Sequence, residues 1–283
     1  MHQRFGVEVF DIKLSNITAD SGYSEIRDLF ERYSLLLFRE QKLDDGEHIA
    51  LGKLFGPIED RSRVTNNFDP VVTTVSNVAE DGQVIEENDL KVSYLKANQL
   101  WHTDSTFLST PALANILTAK VVPSTGGETE FVSTRVAWKD LPSKLKVRIR
   151  DKVFCHRYLH SRQQISKSLA IVSLFMKHND QFWRALWPNP CNGEEALYIA
   201  SHIYAVQDMN VNDGSALVDR LIEFSTQSQY IHTHKWRVGD VLIWDERATM
   251  HRGRPWSYDE ARILSSICVT ARDVDGLDLV RSL

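Results

Sequence analysis

The chain has 283 residues, of which 42% are hydrophobic and 25% charged, with a net charge of -5; this is ordinary globular composition with ample length for a sizeable core. The acidic balance argues against a nucleic-acid partner, which would call for a basic stripe, and no run of about 18 apolar residues offers a membrane span. A small-molecule partner is the expectation that remains.

Three cysteines, Cys155, Cys191 and Cys268, show no CxxC spacing and make an odd total, so no disulfide framework is expected. No apolar run stands behind a basic segment at Met1-His2-Gln3-Arg4, and the expected setting is cytoplasmic. No Pro/Gly/Ser-rich linker divides the chain, so residues 1–283 are read as one domain.

In chain order, Ser21 to Tyr33 carries Ile26, Leu29, Phe30 and Tyr33 at helical spacing and runs into an apolar strand, Leu35 to Phe38. Asp44 or Asp45 can cap a second helix bearing Ile49, Leu54 and Phe55, stopped by Gly56-Pro57. Residues 59–99 are polar and weakly periodic, which suits either a lid over a site or a solvated excursion. Beyond Phe107 strands dominate: Ala114 to Thr118, a Pro-Ser-Thr-Gly-Gly turn, Thr129 to Val132, Ala196 to Ala200, Tyr230 to Trp236, Val241 to Trp244 and Ile263 to Thr270, with a helix near Ala216 to Phe224. Such a succession predicts an α+β chain built on a sheet sandwich or barrel.

Chemistry-bearing residues cluster at two places. Trp101-His102-Thr103-Asp104 puts an imidazole and a carboxylate two residues apart, and in an extended strand such residues share a face. His251, in Thr249-Met250-His251-Arg252, follows a strand as the chain enters a loop. Two histidines and one carboxylate form the facial set that holds ferrous iron and leaves coordination positions open. A competing pair, His232 and His234, could share a strand face and suit zinc in a hydrolase. Their polar, basic surroundings favour a structural role.

The run Ala97 to Phe107, the segment Gly126-Gly127-Glu128-Thr129-Glu130-Phe131, and Val238 to Asp245 leading into Thr249 to Arg254 together resemble the taurine and 2,4-dichlorophenoxyacetate dioxygenases, in the same order and over nearly the whole chain. The resemblance implies a double-stranded β-helix (jelly-roll) core with flanking helices. It further implies an Fe(II)- and 2-oxoglutarate-dependent oxygenase that consumes dioxygen and hydroxylates a small organic substrate, nearest to aryloxyalkanoate ether cleavage, and it admits a homo-oligomer. Residue by residue, His102, Asp104 and His251 match the iron ligands, Thr129 the threonine that bonds 2-oxoglutarate, and Arg262 the arginine that pairs with its distal carboxylate.

One position departs from the pattern. Four residues beyond Arg262, where the family carries a substrate-binding arginine, stands Ser266. A hydroxyl donates one hydrogen bond and neutralises nothing. Lys96, Lys91, Arg254 and Arg135 are candidate replacements, and His202 matches a pocket histidine of the phenoxyacetate enzyme. The same departure leaves open a neutral or natural-product substrate, or a non-catalytic metal or 2-oxoglutarate sensor.

Overall fold

The computed structural model describes residues 1–60, 71–166, 169 and 179–282. The first part holds β1 (Val7–Val9), α1 (Tyr23–Tyr33), β2 (Leu35–Phe38), α2 (Asp45–Phe55), β3 (Thr73–Ser76) and α3 (Leu90–Ala97). The middle holds β4 (Ala112–Val121), β5 (Thr129–Ser133), α4 (Thr134–Asp140), α5 (Ser143–Ile149), β6 (Val153–His156), α6 (Tyr158–Ile165), β7 (Gln181–Arg184), β8 (Leu186–Pro188), β9 (Glu195–Leu197) and β10 (Ile203–Val206). Then come α7 (Val211–Ser225), β11 (Ile231–His234), β12 (Val241–Asp245), β13 (Thr249–Gly253), β14 (Ile263–Thr270) and α8 (Leu277–Val280). This is the mixed helix and sheet content that the periodicity predicts.

Two sheets face each other. The larger has the strand order β1-β2-β12-β4-β14-β3 and the smaller β11-β5-β13. Side chains alternate across a strand, and the larger sheet uses both faces. Leu36, Phe38, Ile116, Ile243, Ile267 and Val269 point outward to Ile26 and Phe30 of α1 and Leu51 and Phe55 of α2. Leu35, Leu37, Leu117, Leu242, Trp244 and Leu264 point inward to Phe131 of β5. Each such side chain contributes about 1.5–3 kcal/mol on full burial, so the in-and-out register of four adjacent strands is firmly specified. Behind the smaller sheet, Val132 and Met250 pack on a third cluster drawn from α4, α5 and α7.

Several boundaries move for local reasons. Helix α1 starts at Tyr23 rather than Ser21 because Gly22 sits at φ 79°, outside the helical well. Helix α7 reaches back to Val211 because the Asn210 side chain accepts the Asp213 N–H as a cap. The strand expected over Tyr230 to Trp236 narrows to β11, since Tyr230 closes a single 3-10 turn. His251 lies in a strand, β13, and not in a loop: it pairs with Phe131 across β5.

Of the polar segment 59–99, residues 61–70 lie outside the described part, and residues 71–99 hold more regular structure than their composition suggests. Strand β3 pairs on the edge with β14, matching Ser76 to Ile263. Helix α3 carries Tyr94 onto a cluster formed with Phe107 and Tyr158. Among the described residues no helix is long and apolar enough to cross a membrane.

Candidate metal centre

The hairpin from β12 to β13 is held by an ion cluster that fixes where His251 points. In its turn Arg247 is buried and bonds Asp245 at 2.8 Å and Glu31 of α1 at 2.6 Å. Burial alone would raise the Glu31 pKa, but the Arg247 and Arg27 charges win and hold it below the ordinary carboxylate value. Paired charges are what make such burial tolerable. Asp245 and Glu31 also absorb Arg135, which bonds the Glu31 carbonyl at 2.9 Å and stands 3.6 Å from Asp245.

His102 and His251 exchange main-chain bonds, His102 N–H to His251 O at 3.0 Å and His251 N–H to His102 O at 2.8 Å. This single bridge brings the two ring centroids to 4.2 Å, with the rings tilted 47° to each other. The expected strand through Asp104 does not form. After His102 the chain turns, with Ser105 at φ 58°, and Asp104 reaches the histidines from that turn. Thr103 anchors the turn, its hydroxyl within hydrogen-bond distance of both the Thr249 carbonyl at 2.9 Å and the Ile199 carbonyl at 3.1 Å.

Among the described residues His102, Asp104 and His251 are the one group of His, Cys, Asp or Glu placed to hold a metal, with one ligand atom from each lying within 4.8 Å of the others. His102 Nδ1 lies 2.7 Å from the Leu100 carbonyl and donates to it, which leaves the Nε2 lone pair free for a metal. His102 Nε2 stands 3.7 Å from Asp104 Oδ1, and His251 Nε2 3.9 Å from Asp104 Oδ2. Burial lowers the pKa of both rings, His251 to about 3. Both imidazoles are therefore neutral near pH 7, the form that ligates. His234, by contrast, is occupied by Asp240 at 3.0 Å, and no third ligand joins it and His232 among the described residues.

The Asp104 carboxylate is oriented by neutral groups. Asn115 Nδ2 donates to Oδ2 at 2.7 Å, and the Ser266 hydroxyl donates to Asn115 Oδ1 at 2.9 Å. Behind it, Glu246 is fully buried and its carboxyl is raised well above the usual range, by burial first and the Asp104 charge second. Glu246 accepts the Asp104 N–H at 3.0 Å and the Trp244 indole at 2.6 Å.

A second constellation lies nearby. Thr129 opens β5, and its Oγ1 accepts the Trp236 indole N–H at 2.9 Å, so the hydroxyl hydrogen is free to donate elsewhere. Arg262 precedes β14, is 5% exposed, and donates from Nε and Nη2 to the Gly127 carbonyl at 3.2 and 3.0 Å. Its main-chain N–H is pinned at 2.8 Å by Asn77, a residue of the polar segment. Burial pushes this guanidinium down to about 10. Among the described residues no carboxylate forms an ion pair with it, so a buried cation stands ready for an anion.

Gly127 makes that placement possible. It sits at φ 69°, and an added Cβ would stand 3.0 Å from Pro123 and 3.1 Å from Arg262 Nε. Gly127→Ala is expected to cost about 1–2 kcal/mol for the left-handed backbone and to shift Arg262. Isothermal titration of a dicarboxylate should show weaker binding than wild type; unchanged affinity would detach this turn from the cation.

The other residues singled out in the sequence fall in different places. His202 is 2% exposed and its ring meets that of His102 edge to face at 6.5 Å. Burial first, and then the Arg162 charge, hold it well below the ordinary histidine value. Lys96 pairs with Glu87 at 2.8 Å on the surface, Lys91 lies 3.4 Å from the Val78 carbonyl, and Arg254 stands 3.7 Å from Glu130. Among aromatic side chains, Phe107 meets the His202 ring at 5.0 Å, Tyr94 packs on Phe107 and Tyr158, Trp256 lies beneath Arg262, Tyr198 is core, and Tyr204 bonds Asp180. Asn77, Asn115, Trp236 and Arg162 were not singled out by the sequence, because none belongs to a spaced motif.

Comparison with known proteins agrees with this geometry. The family model described as taurine catabolism dioxygenase TauD, TfdA family matches residues 1–268. An alpha-ketoglutarate-dependent 2,4-dichlorophenoxyacetate dioxygenase of Cupriavidus pinatubonensis is 32% identical over 269 residues, 93% of this chain and 94% of its own. A (S)-phenoxypropionate/alpha-ketoglutarate-dioxygenase of Sphingobium herbicidovorans is 30% identical, covering 92% and 90%. The crystal structure of AAD-2 in complex with Mn(II) and N-oxalylglycine superposes with a TM-score of 0.88 at 28% identity, covering 96% of this chain and 97% of that one.

Proposed function

The chain belongs to the taurine catabolism dioxygenase TauD, TfdA family and is an Fe(II)- and 2-oxoglutarate-dependent dioxygenase; from that premise we propose that it oxidises an aryloxyalkanoate at the carbon bearing the ether oxygen. The observation that carries the assignment of its centre is the convergence of two neutral imidazoles and one carboxylate beside a buried, anion-seeking arginine. The relatives named for 2,4-dichlorophenoxyacetate and phenoxypropionate support the substrate class. We read the two facing sheets as a double-stranded β-helix, and the described residues 71–99 as a cover that packs Tyr94 on Phe107 and Tyr158.

His102, Asp104 and His251 would hold ferrous iron, the set of two histidines and a carboxylate that this ion takes in such oxygenases. With iron and 2-oxoglutarate bound, dioxygen is split so that one oxygen atom leaves in succinate, released with carbon dioxide, and the other enters a C–H bond of the substrate. Arg262 would grip the distal carboxylate of 2-oxoglutarate with two parallel N–H donors, and the Thr129 hydroxyl would donate a third hydrogen bond. Asn115 and Glu246 hold Asp104 in place while substrates exchange. A hydroxylated ether carbon is a hemiacetal and collapses to a phenol and an aldehyde acid. A reducing, cytoplasmic setting suits the three free cysteines.

The test is succinate and phenol release by anaerobically prepared protein given ferrous iron, 2-oxoglutarate and a panel of aryloxyalkanoates, alkyl sulfonates and neutral aromatics. We expect phenol and succinate in equal amounts from the aryloxyalkanoates. Coupled turnover confined to sulfonates or neutral aromatics would sink the substrate assignment and keep the reaction class.

A further inference from the structure

One loop, residues 254–262, joins the strand that carries His251 to the strand that Arg262 leads into. How this loop is held decides where the buried guanidinium points. Its brace comes from the polar segment that precedes the metal centre, through a single side chain.

Strand β3 pairs with β14 as far as Ser76 and Ile263. One residue further the main chains part, because residues 78–84 turn back with Val78 bridged to Val84, and a side chain continues the ladder. The Arg262 N–H donates to Asn77 Oδ1 at 2.8 Å, while Asn77 Nδ2 donates to the Tyr258 and Glu260 carbonyls, each at 2.9 Å. An amide turned the other way would set its own hydrogens against the Arg262 N–H, so this orientation is the one the loop accepts. Asn77 is fully buried, and its amide hydrogens and oxygen are all engaged by the main chain of this loop.

The same contact sets the platform under the cation. The Glu260 carbonyl also accepts the Trp256 indole N–H at 3.1 Å, and the Arg262 guanidinium carbon lies 5.0 Å from the centroid of the Trp256 ring. On the other side, the Asn77 carbonyl accepts the Ile85 N–H at 2.8 Å. From there the chain runs through α3 to Gln99, whose amide donates to the Tyr258 hydroxyl at 2.8 Å, and then to His102. Residues 71–99 are thus fastened to the Arg262 loop by Asn77 near their start and by Gln99 at their end. Of these two ties, the one through Asn77 bonds Arg262 itself.

We propose that Asn77 is a positioning residue for the cosubstrate: acting through Arg262, it fixes the main chain from Tyr258 to Arg262 so that the guanidinium meets the distal carboxylate of 2-oxoglutarate, and it couples that binding to the seating of residues 71–99. This role rests on the reading of Arg262 as the cosubstrate anchor. Coupling between two sites is reciprocal. Loosening Asn77 weakens the cosubstrate, and bound cosubstrate steadies the segment that Asn77 fastens.

The experiment uses the full chain loaded with Mn(II) and compares wild type, Asn77→Ala and Tyr258→Phe. Calorimetry gives the Kd of 2-oxoglutarate and of N-oxalylglycine, a metal titration gives the Mn(II) affinity, and hydrogen exchange reads residues 71–99 with and without N-oxalylglycine. Asn77→Ala should raise both dicarboxylate Kd values by about tenfold or more, inside the range of about 5- to 150-fold for coupled sites, with Mn(II) affinity within about threefold of wild type. Tyr258→Phe removes the hydroxyl that Gln99 holds and keeps the ring and the main chain, so its Kd values should stay within about threefold of wild type. N-oxalylglycine should slow exchange over residues 71–99 of wild type by about tenfold, and Asn77→Ala should lose that protection. Unchanged Kd or retained protection in Asn77→Ala, an equal loss in Tyr258→Phe, or a fall in Mn(II) affinity in step with the Kd would each overturn the role of Asn77. Should Asn77→Ala not fold, the wild-type exchange still decides: no protection by N-oxalylglycine overturns the coupling. Wild type that takes up Mn(II) but binds neither dicarboxylate would sink the cosubstrate reading of Arg262 and the role of Asn77 with it, whereas normal binding by both wild type and Asn77→Ala would sink the role of Asn77 alone.

Discussion

His251→Ala is expected to remove stoichiometric iron and to lower 2-oxoglutarate turnover by at least about a thousandfold, equivalent to about 4 kcal/mol of barrier. The expectation follows from how the centre is held. His102 and His251 are bridged through their main chains, so the substitution deletes an imidazole while the bridge and the β5–β13 pairing stay intact. The variant should fold, and circular dichroism would verify that it does. His234→Ala makes the informative partner, because His234 bonds Asp240 rather than facing the triad. It should retain iron and activity. Retained iron in His251→Ala, or equal loss in His234→Ala, would reject the triad and revive a zinc site on β11.

Legibility of the sequence tracked physical cause. Strand β14 was readable from end to end because its inward and outward residues are nearly all apolar or small and fully paired on β4. Strand β13 was not, since Thr249-Met250-His251-Arg252-Gly253 offers one aliphatic side chain and spends its inward position on a histidine. A functional residue on the inner face erases the very pattern that identifies a strand.

The His-x-Asp spacing of His102 and Asp104 brought both residues to the centre, but by a route other than strand alternation. A single bridge and a left-handed Ser105 do the placing. The supporting groups carried less signal still. Asn77 and Asn115 look like ordinary polar residues near strands, and their roles appear only when Arg262 and Asp104 are found in contact with them. Arg162 lies in a helix with no motif at all, where it bonds Tyr158 one turn away, and the contact of Phe107 with His202 joins distant parts of the chain. Ser266 could be recognised as a departure from the family pattern, whereas its hydrogen bond to Asn115 could not.

Arg262→Gln is expected to raise the dissociation constant of 2-oxoglutarate by about 30- to 4,000-fold, the range set by about 2–5 kcal/mol for truncating one side of a buried charge pair. The same substitution should leave the ligand-free protein no less stable. Burial depresses the Arg262 pKa to about 10, so the charge costs the ligand-free fold some desolvation before an anion arrives. Removing that charge relieves the free protein and injures only the complex. The two states thus move in opposite directions, and thermal melting with and without ligand separates them. Ligand at a hundred times its Kd stabilises wild type by about 2.7 kcal/mol; in Arg262→Gln the increment at the same concentration should fall to about 0.9 kcal/mol for a loss of about 30-fold and to nearly nothing for a loss of about 4,000-fold, while the ligand-free melting temperature holds or rises. Arg262→Lys should sit between the two, since an ammonium keeps the charge but cannot present two parallel donors. A glutamine variant that melts earlier without ligand yet keeps the full ligand increment would make Arg262 a structural residue and move the cosubstrate carboxylate elsewhere.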